Sequence, residues 1–458
     1  MSTAAAPGST AQAAGHRASP LRPAITRRML TVFVIGDVLG AGIYALAGEV
    51  AGKVGGAIWT SFLLAGVLAG FTATAYAELV TKYPQAAGAA LYAHKAYRRP
   101  FVTFLIAFAV MCSGVASAAT LATAFGGDYL SEFVTLPKMV VAAAFLGVLA
   151  LVNFRGIKES VQLNLGLTAI ELTGLVLVAV IGAAFLLDGG GDPGRAFEFK
   201  AGEAVPLAIL SGASLAFFAL IGFEDSVNVA EETRDPSRVF PTALFTGLGV
   251  ALAVYVVVTL VAGMAVPTDR LAGSDGPLLE VVQLGPIAMN TKVFSAIALF
   301  ALANGALINM IMASRLIYGM AQQGIVPRPM GRVHGERRTP WVAIVFVAVL
   351  ALALVALGDL ESLADTTVLL LLAVFISVNV AVLVLRGDRV QHDHWRAPTV
   401  LPVLGVVACA ALIVQKAFED AVIFAYAGGL IALGVVLCLI SRAVAGPPQE
   451  LDPARLVD

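Results

Sequence analysis

The sequence predicts an all-α polytopic membrane protein of about twelve transmembrane helices. Three observations carry that prediction. The 458 residues are 59% hydrophobic and 13% charged, with a mean hydropathy of +0.89, whereas a soluble domain carries about a quarter charged residues. Apolar stretches near the ~20 residues needed for a bilayer crossing recur along the whole chain. Positive charge also alternates between the connections: 22 of the 29 Lys and Arg fall on the side that carries the N-terminus, as expected if that side is cytosolic.

Taken in order, residues 1–25 are rich in Ala, Ser, Gly and Pro and lack a separate short apolar core. They read as a disordered cytosolic tail and not as a cleaved signal peptide. The expected spans are 30–53, 57–80, 101–126, 137–154, 161–187, 205–230, 240–265, 293–320, 340–358, 363–386, 399–417 and 421–442. Two longer connections, 188–204 and 266–292, are rich in turn residues, the first containing Gly189-Gly190-Gly191-Asp192-Pro193-Gly194. Arg27-Arg28, Arg98-Arg99 and Arg337-Arg338 all fall on the cytosolic side, and an even number of spans returns the second tail, 443–458, to that side. Cys112, Cys409 and Cys438 lie within spans, which argues against a disulfide framework.

Span 1 is interrupted by its own sequence: Gly36-Asp37-Val38-Leu39-Gly40-Ala41-Gly42-Ile43-Tyr44, then Gly48. Glycine costs a helix interior about 1 kcal/mol relative to alanine, and a carboxylate at mid-bilayer costs about 2.5–3.5 kcal/mol. Broken backbone at that depth is tolerated where it faces protein or a polar cavity, and it marks transporter binding sites. Gly40-Ala41-Gly42 is expected to leave the helix, with a half-helix from Ile43 pointing its positive end at an anionic group such as a carboxylate. Span 6 reads Phe218-Ala219-Leu220-Ile221-Gly222-Phe223-Glu224-Asp225, where carbonyls freed around Phe218, Ala219 and Ile221 could accept from an ammonium while Phe218 shields it. The bland alternative for either span is a Gly-mediated packing seam. Interruption of both suggests inverted copies: a first repeat over 26–187, a second over 205–390, and two additional helices in 399–442.

Several motifs carry a resemblance. Gly36-x-x-Leu39-Gly40-Ala41-Gly42-Ile43-Tyr44-x-Leu46-Ala47-Gly48, Tyr76-Ala77-Glu78-Leu79 with Tyr83-Pro84, and Phe218-Ala219-x-x-Gly222-Phe223-Glu224 occur in order. They are followed by Glu231-Glu232-x-x-Asp235-Pro236-x-Arg238-x-x-Pro241, Ser314-Arg315-x-x-Tyr318 and Thr339-Pro340-Trp341. Together they resemble the amino acid–polyamine–organocation superfamily, in particular its cationic-amino-acid-transporter-like branch. The resemblance implies the five-plus-five inverted-repeat fold of the leucine-transporter type, alternating access, and a substrate held between helices 1 and 6. Two departures bear on mechanism. Asp37 stands where many relatives have a small or neutral residue. Glu171 aligns approximately with a fifth-helix lysine whose amine, in some proton-coupled relatives, occupies the place of a sodium ion. An acid cannot copy that cation.

Three buried acids are therefore candidates for proton coupling or cation recognition. Asp37 should lie at the negative end of the first half-helix, where it could meet a substrate cation or carry a proton, or else tie that half-helix to a neighbour. Glu171 fits a proton or cation site as well as a structural hydrogen bond. Glu224 follows the span 6 break, with Asp225 pointing about 100° away if the segment is helical. Glu78, Glu231, Glu232 and Arg315 fall at the cytosolic boundary and suit gate or loop ion pairs.

Other chemistries are poorly supported. Gly40-Ala41-Gly42-Ile43-Tyr44-Ala45 imitates a dinucleotide-binding turn, but no soluble strand precedes it. His392-x-His394 alone is weak evidence for a metal. The sequence shows no phosphate loop, cofactor motif, catalytic set or nucleic-acid-binding signature. The reading is a secondary transporter of amino acids in the plasma membrane, proton-coupled, whose partners are a small-molecule substrate, protons and the lipid bilayer. Polyamine or organic-amine transport, exchange without proton flow, and a channel or sensor on the same scaffold are the alternatives.

Overall fold

The computed structural model describes residues 25–85, 88–155, 161–284, 287 and 289–445. The expected tails, 1–25 and 443–458, fall almost wholly outside them. Helices occupy all twelve expected span positions. Span 1 is two half-helices, 1a (Arg27–Val38) and 1b (Gly42–Val54), bent by 45° at their break. Spans 2 to 5 are Ile58–Lys82, Pro100–Phe125, Lys138–Arg155 and Val161–Leu187. Span 6 comprises an α-helical half, 6a (Val205–Ala216), a tight 3-10 turn over Phe217–Leu220, and a 3-10 half, 6b (Asp225–Glu232). Spans 7 to 12 are Pro236–Ala265, Thr291–Gln322, Trp341–Leu357, Leu360–Leu385, Val400–Glu419 and Val422–Ala445. Among the described residues ten helices are long and apolar enough to cross a bilayer, and the bent pair makes an eleventh. Span 9, at 17 residues, is a shorter apolar helix.

Neighbour relations repeat between the two sets of five. Span 1a packs on span 7 as span 6a packs on span 2, and span 5 packs on span 7 as span 10 packs on span 2. Span 3 meets span 10 as span 8 meets span 5. Spans 2 and 7, 3 and 8, and 4 and 9 pack reciprocally, and the packing of 1b on 6a has its counterpart in 1a and 6b. This is the pattern an inverted repeat demands, because each contact must have a counterpart.

The interior is made largely of small and aliphatic residues, with Ala73, Ala116, Ala243 and Ala298 fully buried, and small side chains allow close helix approach where lipid gives no hydrophobic drive. Exposed Val148, Val349, Phe300 and Leu439 lie on outward faces, as lipid-facing residues should.

Short elements close the ends. Backbone bonds from Ile25 N to Glu232 O (2.9 Å) and from Arg234 N to Ile25 O (3.0 Å) place the start of span 1 beside the exit of span 6. At the opposite end, connection 188–204 lies against the top of span 1b through Lys200 N–Val54 O at 3.0 Å. Connection 266–292 contains the short helices Thr268–Ala272 and Pro277–Val282, both against 1b. A ten-residue helix, Gly88–Tyr97, packs between spans 3 and 10. The hydropathy pattern does not predict it, because it is too short to cross a bilayer.

Candidate functional site

Span 1 stops at Val38, where Gly40 and Ala41 leave the helical path. The Leu39 N–H closes the last turn on Ile35 O at 2.8 Å. The freed Val38 carbonyl accepts from the Tyr255 hydroxyl of span 7 at 2.7 Å. Half-helix 1b then starts at Gly42, one residue before the expected position, and no side chain caps it. The first-turn amides of Gly42, Ile43 and Tyr44 thus have no partner within the helix.

Span 6 opens at the same level. After the turn at Phe217–Leu220, Ile221 is extended and Gly222 takes φ +128°, a conformation that disfavours any side chain. The Gly222 N–H donates to Glu224 Oε2 at 2.9 Å, so the acid folds back onto its own break. The two breaks touch through backbone. A Cβ on Gly42 would lie 2.6 Å from Ala219 Cα, and one on Gly222 would lie 2.5 Å from Asp37 O. Asp37, Gly42, Ala219 and Gly222 therefore come together.

Glu171 lies on the far side of the span 1 break. It is buried, and its Oε1 accepts from Asn304 Nδ2 of span 8 at 3.2 Å, while Oε2 is buried without a hydrogen bond. The Tyr44 hydroxyl of half-helix 1b donates to the Glu171 backbone carbonyl at 2.7 Å, and Tyr129 donates to Tyr44 O at 3.1 Å. Span 5 is thereby fastened to 1b beside the acid. Tyr44 and Tyr255 were not anticipated as contributors. The signal for Tyr255 was a lone phenol in the apolar run Val254-Tyr255-Val256.

A cavity of about 70 Å³ lies on the Ile25 side of the breaks, and its walls include Tyr76, Glu224, Asp225, Asn228, Arg315 and Leu371. Gly40–Ile43 and Phe218 do not line it; Phe218 is buried. The segment after the break is 3-10 and not α-helical, and Glu224 and Asp225 both line this cavity. Above it, Tyr76 meets Phe223 and Phe375 edge-on, both at 5.9 Å, sealing spans 2, 6 and 10 together. Below it, Arg386 of span 10 grips Glu78 of span 2 with two bonds, 2.9 and 2.7 Å, and Ala397 N adds a third at 2.9 Å. Glu78 is thus the ion-paired boundary acid expected. His392 is engaged elsewhere: a ring nitrogen lies 3.2 Å from Thr81 O.

The amino acid permease family model matches residues 25–440. The chain belongs to the amino acid permease family. The permease is 26% identical over 421 residues to the branched-chain amino acid permease BcaP of Bacillus subtilis, covering 86% of this chain and 88% of that protein. It is 28% identical over 379 residues to the vacuolar cationic amino acid transporter 4 of Arabidopsis thaliana, covering 78% and 62%. A methylthioribose transporter of Bacillus subtilis is 26% identical over 398 residues, covering 82% and 84%. The superfamily resemblance read from the motifs therefore holds, and the permease is an amino acid transporter of the multi-pass membrane type and not an enzyme.

Proposed function

We propose that the permease moves an amino acid across the plasma membrane by alternating access, driven by protons. The observation that supports this most directly is the meeting of two interrupted spans at one level, with an uncapped half-helix start in one and unwound backbone in the other. The substrate carboxylate takes the first-turn amides of Gly42 and Ile43 near Gly40 and Ala41. Its ammonium takes carbonyls of the Phe218–Ile221 turn, with Ala219 and Ile221 shaping the wall and Phe218 covering it. The Gly42–Ala219 contact must then part to admit substrate.

Glu171 carries the coupling proton in this reading. Its Oε2 has no donor, and no cation bonds it among the described residues. An ionised carboxylate there would be an uncompensated buried charge, which is costly. Asp37 and Glu224 flank the breaks and orient them, Glu224 by its bond to Gly222. The excess of Lys and Arg on the Ile25 side supports a cytosolic position for both termini, and the cavity at Glu224 and Asp225 is then the release path. Two carboxyl groups on that path also suit a cationic amino acid, a second reading that the substrate panel decides.

Purified permease in liposomes supplies the test. Labelled leucine, alanine, lysine, arginine and putrescine are offered with and without an inward proton gradient. We expect accumulation of at least one amino acid that collapses when the gradient is dissipated. Glu171→Gln should retain exchange of that substrate but lose gradient-driven accumulation. Gradient-driven uptake by Glu171→Gln at the parental level would remove Glu171 from coupling, and no uptake of any amino acid by the parent would sink the proposal.

A further inference from the structure

A second buried charge cluster lies at the opposite end of the bundle from Glu78 and Arg386, and the transport site does not use it. Lys416 of span 11 is fully buried. Its ammonium donates to Asp365 Oδ2 of span 10 at 2.8 Å and to Glu419 Oε2 at 3.1 Å. Asp365 is buried too, so this ion pair joins spans 10 and 11 with little access to water.

Beside this pair, Glu361 and Glu419 each make a bond to one of the half-helices that form the proposed transport site. Lys53 of 1b reaches Glu361 of span 10 at 2.5 Å. The Ser211 hydroxyl of 6a donates to Glu419 Oε1 of span 11. The two kinds of contact differ in exposure. Lys416 and Asp365 are 2% and 3% exposed, whereas Lys53, Glu361 and Glu419 are between 25% and 34% exposed. A buried pair is costly to break because each charge would be left unpartnered, whereas the partly hydrated Lys53–Glu361 pair is worth little. The Ser211–Glu419 bond, although Ser211 is buried, leaves Glu419 held by Lys416 when it parts. The arrangement is a fixed platform with two weak holds on elements that have to move.

We propose that Lys416, Asp365, Glu361 and Glu419 position half-helices 1b and 6a as a charge latch that keeps the outer entrance shut, released when Lys53–Glu361 and Ser211–Glu419 part. This rests on the alternating-access reading and on the orientation given above. The latch residues touch no substrate; they set how often the outer side opens.

The test reads opening directly. Ala208 is buried on 6a, three residues from Ser211 and on the same face. Ala208→Cys is labelled from outside in proteoliposomes with a membrane-impermeant maleimide, and the parent with its three buried native cysteines gives the background. Glu361→Gln combined with Ser211→Ala should label at least about fivefold faster than Ala208→Cys alone, the shift expected from losing contacts of this strength. Exchanging the charges, Lys53→Glu with Glu361→Lys, should restore slow labelling, which a merely structural lesion would not do. Amino acid uptake is measured on the same preparations. If the latch variants transport and label no faster than Ala208→Cys alone, the latch is refuted; if the parent itself takes up no amino acid, the alternating-access reading fails instead.

Discussion

At the residue scale, the site depends on positions where a side chain has no room. Gly222 combines φ +128° with a backbone approach to Asp37 O. Replacing it with alanine should cost about 1–3 kcal/mol for the strained conformation alone, more if the breaks must separate. The measurement is thermal unfolding of the detergent-solubilised protein: Gly222→Ala should melt at lower temperature than the parent and lose uptake. An unchanged melting temperature would mean that the two breaks do not hold each other as described. These glycines were legible in the sequence because glycine beside an acid weakens an apolar helix that a plain membrane anchor would keep intact. The pairing of Asn304 with Glu171 was not, because the two lie 133 residues apart and a single amide on an apolar helix does not name its partner on another span.

At the scale of elements, ion pairs divide the work between the two ends. Arg386 and Glu78 clamp span 10 to span 2, with 10% and 1% side-chain exposure. Removing the guanidinium by Arg386→Met should cost about 3–5 kcal/mol, since Glu78 is left as a lone buried charge. Glu78→Leu made together with Arg386→Met should recover much of that loss, because replacing both partners removes the unpaired ion. Melting temperatures of the single and double variants check this; a double variant less stable than Arg386→Met would show that Glu78 matters chiefly through its bond to Ala397 N. Lysine is not an adequate substitute for Arg386, which uses Nε and Nη2 on the two oxygens of one carboxylate. The half-helices 1a and 1b follow from sequence. That 6b is a 3-10 segment does not, since its residues are compatible with an α-turn and only the Gly222 conformation redirects the chain.

At the scale of the whole molecule, the reciprocal packing of the two sets of five spans explains why the interruptions fall at spans 1 and 6. They occupy equivalent positions in the two sets of five, and their breaks meet through Gly42 with Ala219 and Gly222 with Asp37. The charge excess on the Ile25 side supports the proposed orientation, with that side in the cytosol. A peptide tag fused at either terminus should be reached by antibody only after permeabilisation of expressing cells; staining of intact cells would invert the orientation, and with it the roles of the cavity at Glu224 and of the cluster at Lys416.

Composition, span count, the two broken helices and the family motifs came from the sequence by itself, because each depends on residues close together along the chain. Membrane insertion reads hydrophobicity one segment at a time, and a glycine weakens the helix in which it stands. Tertiary structure alone decided which acids share a cavity, that Tyr255 satisfies the Val38 carbonyl, and that Lys416, Asp365, Glu361 and Glu419 form one cluster. Those relations join side chains from separate spans, and their cost or benefit depends on burial and distance, which no local pattern encodes.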